Sequence, residues 1–438
     1  MIERYASPEM VAIFSDEARF ARYLRVELLA TEAQAGIGVV PRDAARACAA
    51  RAPVVDAAFV AAVAERERAT LHDVAAFVDV VQARIGMPHG AWIHHGLTSS
   101  DVVDTAWCAM LRDAAVLIEG ALGDLDDVLV GLARRHAATP MIGRTHGMHA
   151  EPTTFGAKVA LWALQVRRDA GRMAAARRAV AVCKLSGAVG TYAHVDPRVE
   201  AHVGLALDLV PVPATQVVAR DRHAEYLWAC ASVATTVEAI ATELRHLQRT
   251  EVGEVREGFA ADQKGSSAMP HKRKPISAET LTGLARVARG HLQAVMQDVA
   301  LWHELDVSHS SVERIVLPDA SMIAYYGVRR LAGLLASLEV DEARMRAHLD
   351  DGRGTAHSQG VLLAMVEAGA SRDEAYRAVQ AASATALREG RHLREVVREA
   401  VALGAAPRVS DAALDAAFDL DRVLRHAARA VAALDGPG

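Results

Sequence analysis

The chain has 438 residues, which is enough for two or three domains around a sizeable core. Hydrophobic residues, chiefly Ala, Val and Leu, make up 52% of it and aromatic residues only 4%, a mixture that favours close-packed helices over twisted sheets. The net charge of -5 excludes an overall basic field, so we predict an all-α protein without a nucleic-acid partner.

The sequence indicates neither export nor membrane insertion. Its first residues lack the basic region and apolar stretch of a secretory signal, and no apolar run is long enough to cross a bilayer. The cysteines form no C-x-x-C pair, which argues against a zinc site or a disulfide framework and for a reducing compartment. We therefore expect a cytoplasmic protein with no membrane partner, and we interpret its cysteines as small core residues. They are Cys48, Cys108, Cys183 and Cys230.

Helical periodicity organises the chain into three predicted domains. Apolar residues recur at spacings of three and four over 15–35 and again over 57–83, which indicates a small helical domain at 1–109. The next region, 110–350, carries much longer helical patterns, typical of helices packed side by side in a bundle. One such pattern is Val233, Val237, Ile240, Leu244 and Leu247. Shorter helices follow in a third domain, 351–438, with a break at 404–407.

Three polar stretches containing Gly or Pro interrupt these helices. They are HHGLTSSD (94–101), GRTHGMHAEP (143–152) and KGSSAMPHKRKP (264–275). Polar loops on a rigid helical scaffold are common places for function.

The third stretch combines a flexible Gly-Ser-Ser segment with three cations, and Pro275 fits the first turn of a new helix. A serine hydroxyl is a weak acid, but nearby cations and amides favour its alkoxide, and Lys272 and the loop amides could provide that field. For this loop alone, a solvated surface turn is the more common interpretation.

Histidines in the other two stretches suggest acid–base chemistry. His146 could donate a proton to a departing amine, because the unperturbed pKa of histidine lies near neutrality. Zinc binding is the rival interpretation, but His94 with His95, and His146 with His149, lack a cysteine partner or an H-E-x-x-H pattern.

Together these stretches resemble the adenylosuccinate lyase family of the fumarase/aspartase superfamily. The loop at 265–275 resembles the superfamily signature, and the resemblance runs from IERY at 2–5 to the C-terminal helices. Further similar segments are LHDVAAF (71–77), HHGLTSSDVVDTA (94–106), GRTHGMHAEPTTFGAK (143–158), SGAVGTYAH (186–194), RDRHAEYL (220–227) and SHSSVERIVLPDA (308–320). Motifs of this length, in the family order, make chance similarity very rare.

The resemblance implies a lyase that eliminates fumarate from an N-succinyl substrate of purine biosynthesis by general acid–base catalysis. Ser266 would be the base that removes a proton from the succinyl carbon, and His146 the acid that protonates the leaving nitrogen. Glu279 would orient His146, and Lys272 would stabilise the carbanion. His94 completes the set of catalytic residues.

Further positions match the family's substrate-binding residues. The succinyl pocket would contain Thr98, Ser99, Thr145, Gln216, Ser267 and Lys274, together with His94. The nucleotide part would be held by Arg4, Tyr5, His72, Asp73, Ser310 and Arg314. Each has an ordinary interpretation as well: Asp73, for example, as a helix cap and Arg314 as a surface ion-pair partner.

The resemblance also implies an all-α fold with a long central helix bundle. The family's homotetramer builds each active site from loops of different subunits, and the 264–275 loop would close over the substrate. It implies no metal and no organic cofactor.

Three departures from the family pattern fall on substrate-contact positions. Lys274 replaces an asparagine of the signature, Leu71 stands where a basic residue usually precedes the His-Asp pair, and Leu305 replaces an arginine that holds the 5'-phosphate. Because leucine cannot bind phosphate, two enzyme hypotheses remain: a divergent adenylosuccinate lyase, or a lyase repurposed for a smaller, non-phosphorylated N-succinyl amine or hydrazine. A third hypothesis is a non-catalytic scaffold, against which the retained Ser266 and His146 argue.

Overall fold

The computed structural model describes residues 1–260 and 262–436. Its helices are α1 (Pro8–Phe14), α2 (Asp16–Gly36), α3 (Arg42–Ala50), α4 (Ala57–Thr70), α5 (Asp73–Ile85), α6 (Ser99–Arg135), α7 (Phe155–Val180), α8 (Pro197–Leu207), α9 (Asp221–Leu247), α10 (Ile276–Gln297), α11 (Ser308–Ala336), α12 (Glu342–Asp351), α13 (Ser358–Glu367), α14 (Arg372–Glu389), α15 (Leu393–Ala402), α16 (Asp411–Ala417), α17 (Leu420–Leu424) and α18 (Ala428–Ala432). Its strands are β1 (Pro140–Thr145), β2 (Met148–Thr154), β3 (Val182–Cys183), β4 (Val210–Pro211), β5 (Val255–Arg256) and β6 (Glu339–Val340). The all-α fold class predicted from the sequence is confirmed.

The chain divides into two compact units, each assembled from three separate stretches. Unit 1 comprises Met1–Gly123, Asp169–Glu238 and Thr280–Arg330. Unit 2 comprises Asp124–Arg168, Ala239–Glu279 and Leu331–Gly438. The three-domain division at 109/110 and 350/351 stays a prediction.

Unit 1 is packed around aromatic rings from three helices. Phe20 stacks on Phe77 with ring centroids 5.6 Å apart, and Tyr23 and Phe59 meet the same ring edge-on at 5.7 and 6.0 Å. All four rings are buried and belong to the core of unit 1.

The pattern at 57–83 forms two helices rather than one. Leu71 adopts a left-handed conformation (φ 51°) that ends α4, and the His72 ring accepts a hydrogen bond from the Ala75 amide (3.3 Å) at the start of α5. The apolar spacing continues across the break because both helices bury an apolar face in the core.

Unit 2 contains a β-hairpin that the sequence did not predict. β1 and β2 pair antiparallel, with Arg144 opposite His149 and Thr145 opposite Met148. The turn between them needs a positive φ at both of its central residues, and His146 (56°) and Gly147 (76°) supply it. The polar stretch 143–152 therefore forms a hairpin and not an irregular loop.

Other predictions are confirmed by burial. Val233, Val237, Ile240, Leu244 and Leu247 all lie on α9 and are all buried, as their spacing indicated. All four cysteines are buried and free. Among the described residues, the longest apolar helices still fall short of what a bilayer span requires.

Candidate active site

The predicted site residues fall into two groups, one in each compact unit. Unit 1 contains Arg4, Tyr5, His72, Asp73, His94, Thr98, Ser99, Gln216, Ser310 and Arg314. Unit 2 contains Thr145, His146, Ser266, Ser267, Lys272, Lys274 and Glu279.

In unit 1, a buried carboxylate fixes His94. Glu27 of α2 lies 2.6 Å from the His94 ring Nδ1 and accepts the His94 backbone amide at 2.9 Å. Burial of the ring disfavours its charged form, but the hydrogen bond and negative charge of Glu27 outweigh burial and raise the pKa of His94. Glu27 thus favours the protonated, positively charged form of His94, and this charge would attract a substrate carboxylate.

A second buried carboxylate organises the polar turn that follows His94. Asp101 accepts the Thr98 amide at 2.9 Å, and it also accepts the amides of Ser186 (3.1 Å) and Gly187 (3.2 Å). The fully buried Lys184 ammonium lies 2.6 Å from the same carboxylate and balances its charge. The segments 94–101 and 186–194, which are far apart in the sequence, thus meet at the Asp101 carboxylate.

Gln216, another predicted succinyl-pocket residue, contacts Thr98. The Gln216 side-chain amide is 3.4 Å from the Thr98 hydroxyl, and Ser99 begins α6. The structure therefore brings Thr98 and Gln216 together, although 118 residues separate them in the chain.

Some of the residues expected to hold the nucleotide form hydrogen bonds and an ion pair with one another. Arg314 pairs with Asp73, and its Nε donates to the Ser310 hydroxyl at 3.4 Å. Burial would raise the pKa of Asp73, but the Arg314 guanidinium lowers it overall. Tyr5 packs edge-on against Tyr326 with centroids 5.4 Å apart. Arg314 is thus an ion-pair partner, as its ordinary interpretation has it, and its role in holding a nucleotide stays a prediction.

Two of the departures also lie in unit 1. Leu71 is 86% exposed immediately before His72. Leu305 lies in the loop between α10 and α11, whose Glu304 carbonyl accepts the Thr215 hydroxyl at 2.8 Å. The loop is therefore anchored one residue from Gln216.

In unit 2, His146 is exposed at the tip of the hairpin. Behind it, Arg144 makes a two-pronged ion pair with the fully buried Glu254, at 2.9 and 2.8 Å. The His348 ring Nδ1 lies 2.6 Å from the same carboxylate.

The Ser266 loop is folded tightly on itself. The Ser266 hydroxyl oxygen accepts the amides of Ala268 (3.3 Å) and Met269 (3.1 Å). A Cβ at Gly265 would lie 2.1 Å from the Lys272 carbonyl oxygen, so only glycine fits at this position. Two N–H dipoles thus point at the oxygen where the alkoxide charge would form.

A groove of 710 Å³ opens between this loop and the end of α9. It is lined by Thr242, Arg245, His246, Gln248, Arg249, Thr250, His271, Lys272, Arg273, Lys274, Pro275 and Glu279. Five of these residues are Lys or Arg and one is a carboxylate, so the groove favours an anionic ligand. Lys272, Lys274 and Glu279 line the same groove, whereas Ser266 and His146 are not among the lining residues.

Sequence reasoning missed the buried acids that hold these elements. Glu27 and Glu254 are both fully buried, yet neither lies in one of the three polar stretches singled out in the sequence. For Glu27 the available signal was an acid inside an apolar helical pattern, RVELLA at 25–30. Among the described residues, no group of three or more His, Cys, Asp or Glu could hold a metal ion.

Family models and known proteins match most of this chain. The family described as "Lyase" matches residues 3–290, and that described as "Adenylosuccinate lyase C-terminus" matches residues 354–434. The chain is 47% identical to an adenylosuccinate lyase of Deinococcus radiodurans, over 97% of this chain and 98% of that protein. It is 45% identical to an adenylosuccinate lyase of Bacillus subtilis, over 91% of each chain.

Solved structures share the fold. A fumarate lyase from Mesorhizobium sp. BNC1 superposes with a TM-score of 0.88 at 28% identity, over the whole of both chains. A 3-carboxy-cis,cis-muconate lactonizing enzyme from Pseudomonas putida gives 0.87 at 30% identity, over 98% of this chain and 96% of that one.

Proposed function

We propose that this chain, which belongs to the adenylosuccinate lyase family of the fumarase/aspartase superfamily, is a carbon–nitrogen lyase that releases fumarate from an N-succinyl substrate. The observation that carries the proposal is the cationic groove beside the Ser266 loop. A succinyl group carries two carboxylates, and the elimination adds charge to one of them in the transition state.

The elimination uses the loop that carries Ser266 and the hairpin that carries His146. Ser266, as alkoxide, takes the proton from the succinyl carbon next to a carboxylate, and Lys272 stabilises the carbanion. The electron pair then forms the carbon–carbon double bond of fumarate as the carbon–nitrogen bond breaks. His146 gives a proton to the leaving nitrogen. Ser266→Ala should abolish turnover with little loss of stability, and equal turnover by this variant would remove Ser266 from the role of base.

The protein would act as a cytoplasmic homotetramer in which each site takes Ser266 and His146 from different subunits. Mixing inactive Ser266→Ala protein with inactive His146→Ala protein should then restore part of the activity as subunits exchange. If mixed tetramers form without any recovery, the shared-site arrangement is wrong.

Two candidate substrates fit the unit 1 residues differently. Adenylosuccinate, and with it a role in purine biosynthesis, is the first candidate because of the relatives at 45% and 47% identity. A smaller N-succinyl amine or hydrazine without phosphate is the second, because Leu305 offers no phosphate donor and Arg314 is already paired with Asp73.

Fumarate release decides between these candidates. Adenylosuccinate and the succinylated aminoimidazole carboxamide ribotide should be tested beside small N-succinyl amines and hydrazines. Rapid release from the nucleotides would make Leu71, Lys274 and Leu305 tolerated changes, whereas release from the small substrates alone would make them marks of a changed specificity.

Leu305→Arg tests the phosphate argument directly. Its KM for adenylosuccinate should fall, because an arginine fork binds phosphate through two charge-assisted bonds. Leu305→Gln is the matched control, since it is polar but uncharged. An unchanged rate and KM in Leu305→Arg would contradict the explanation.

A further inference from the structure

We propose that Glu254 and Glu257 position the two catalytic elements of unit 2: Glu254 the hairpin that carries His146, and Glu257 the loop that carries Ser266. The inference rests on the proposed function, in which these two residues are acid and base. Both carboxylates are buried and lie on one short segment between α9 and the Ser266 loop.

Glu254 anchors the hairpin two residues from its tip. Arg144 donates Nη1 to one carboxylate oxygen (2.9 Å) and Nη2 to the other (2.8 Å), so the plane of the guanidinium is fixed as well as its distance. Arg144 stands opposite His149 in the β1–β2 pairing. Fixing Arg144 therefore fixes the turn that begins one residue later and presents His146.

The carboxylate of Glu254 can serve as an anchor because its own backbone is held on both sides. The Glu254 amide donates to the Leu247 carbonyl at the end of α9 (2.9 Å). The Glu254 carbonyl accepts the Asp341 amide (2.9 Å), just before α12. β5, which follows at once, pairs with β6.

Glu257 anchors the other catalytic element. Its carboxylate accepts the amides of Ser277 (3.1 Å) and Ala278 (2.9 Å), which are unpaired donors of the first turn of α10. Its own amide donates to the Gln248 side chain (3.0 Å), whose amide nitrogen lies 3.4 Å from the Arg273 carbonyl oxygen. The start of α10 and the end of the Ser266 loop are thus tied to one residue.

Both carboxylates are buried and already accept hydrogen bonds from protein donors, Glu254 from Arg144 and Glu257 from the amides of Ser277 and Ala278. They act through Arg144 and through the α10 amides, so their effect should be on geometry at the reacting atoms.

Kinetics of the amide variants test this role. Because misplacing a reacting group by an ångström costs about 100-fold in rate, Glu254→Gln and Glu257→Gln should each lower kcat by about that factor and leave KM nearly unchanged. Asp126→Asn is the matched control, since it removes a carboxylate 3.0 Å from Arg167 in the same unit but away from both catalytic elements. If kcat of either Glu variant stays within twofold of the control, or falls only in proportion to the folded fraction, its positioning role is wrong.

Subunit mixing separates positioning from general destabilisation. Glu254→Gln damages the hairpin, so mixing it with Ser266→Ala should restore activity and mixing it with His146→Ala should not. Glu257→Gln damages the loop, so the opposite pattern is expected. The reversed pattern, or recovery with both partners, would overturn the assignment.

The mixture of Ser266→Ala with His146→Ala distinguishes a failure of this inference from a failure of the proposed shared site. If that mixture regains activity, the patterns of the two Glu variants decide the inference. If it does not, the shared site is wrong, and the comparison of kcat and KM with Asp126→Asn decides alone.

Discussion

Replacing Glu27 with glutamine should weaken the structure around His94 in a way that depends on pH. Glutamine keeps the size of the side chain and one acceptor, so the bond from the His94 amide (2.9 Å) can persist. What is lost is the negative charge 2.6 Å from the His94 ring.

The magnitude follows from the difference between a charged and a neutral hydrogen bond. Bonds to charged groups contribute about 1.5 to 3 kcal/mol and neutral ones about 0.5 to 1.5 kcal/mol, so the variant should lose about 1.5 kcal/mol in the free energy of unfolding. Glu27 is fully buried and the His94 side chain is 21% exposed, so solvent screens this pair little.

The sign of the pH dependence is fixed by the raised pKa of His94. A raised histidine pKa contributes stability that is complete below the unfolded value of about 6.5 and is lost as the pH rises through the folded pKa. The deficit of Glu27→Gln should therefore be largest near pH 6. At pH 9 it should vanish or reverse, because the neutral amide is cheaper to bury than a carboxylate.

Urea unfolding followed by tryptophan fluorescence at the two pH values measures this difference, with equal m-values as the condition for comparing midpoints. A deficit that is constant with pH, or that grows toward pH 9, would refute the reasoning that Glu27 holds His94 in its charged form.

Three other substitutions have definite expected outcomes. Gly265→Ala should reduce kcat by at least about tenfold while thermal stability changes little, since the new Cβ would meet the Lys272 carbonyl at 2.1 Å and displace the loop; a normal rate would show that the loop tolerates the change. Burial raises the pKa of Asp298 to about 6. The folded protein therefore favours the protonated carboxyl, and this side chain costs stability once the pH rises above 6 and the carboxyl ionises. Asp298→Asn should stabilise the protein by about 1 to 2 kcal/mol at pH 8 but not at pH 4 in urea unfolding. Ser371→Ala should cost about 1 kcal/mol in the same assay, because Ser371 and Glu374 form a capping box at the start of α14; an unchanged midpoint would contradict that contribution.

The sequence was most informative where one local signal decides the structure. The apolar series from Val233 to Leu247 needs only the helical period, and it is buried along α9. The polar stretches at 94–101, 143–152 and 264–275 were detectable because they interrupt that period.

Contacts between distant parts of the chain could not be predicted. Glu27 and His94 are 67 residues apart, and Asp73 and Arg314 are 241 apart, so nothing local signals either pair. The hairpin at 140–154 was missed for a related reason: its strands show no strict alternation, and α12 supplies part of their packing. The roles assigned to Ser266, His146 and the substrate-binding residues stay predictions.

The order of the segments in unit 2 has a consequence for synthesis on the ribosome. Arg167 donates to the Leu434 carbonyl (2.8 Å), and Arg134 pairs with Asp435 (2.6 Å), so the earliest stretch of this unit is bound by residues that follow it by 267 and 301 positions. At about 5 to 20 residues per second, the helices around 124–168 emerge roughly 15 to 60 seconds before these partners do. During that interval the Arg134 and Arg167 side chains lack these two partners, so these contacts form well after the helices themselves.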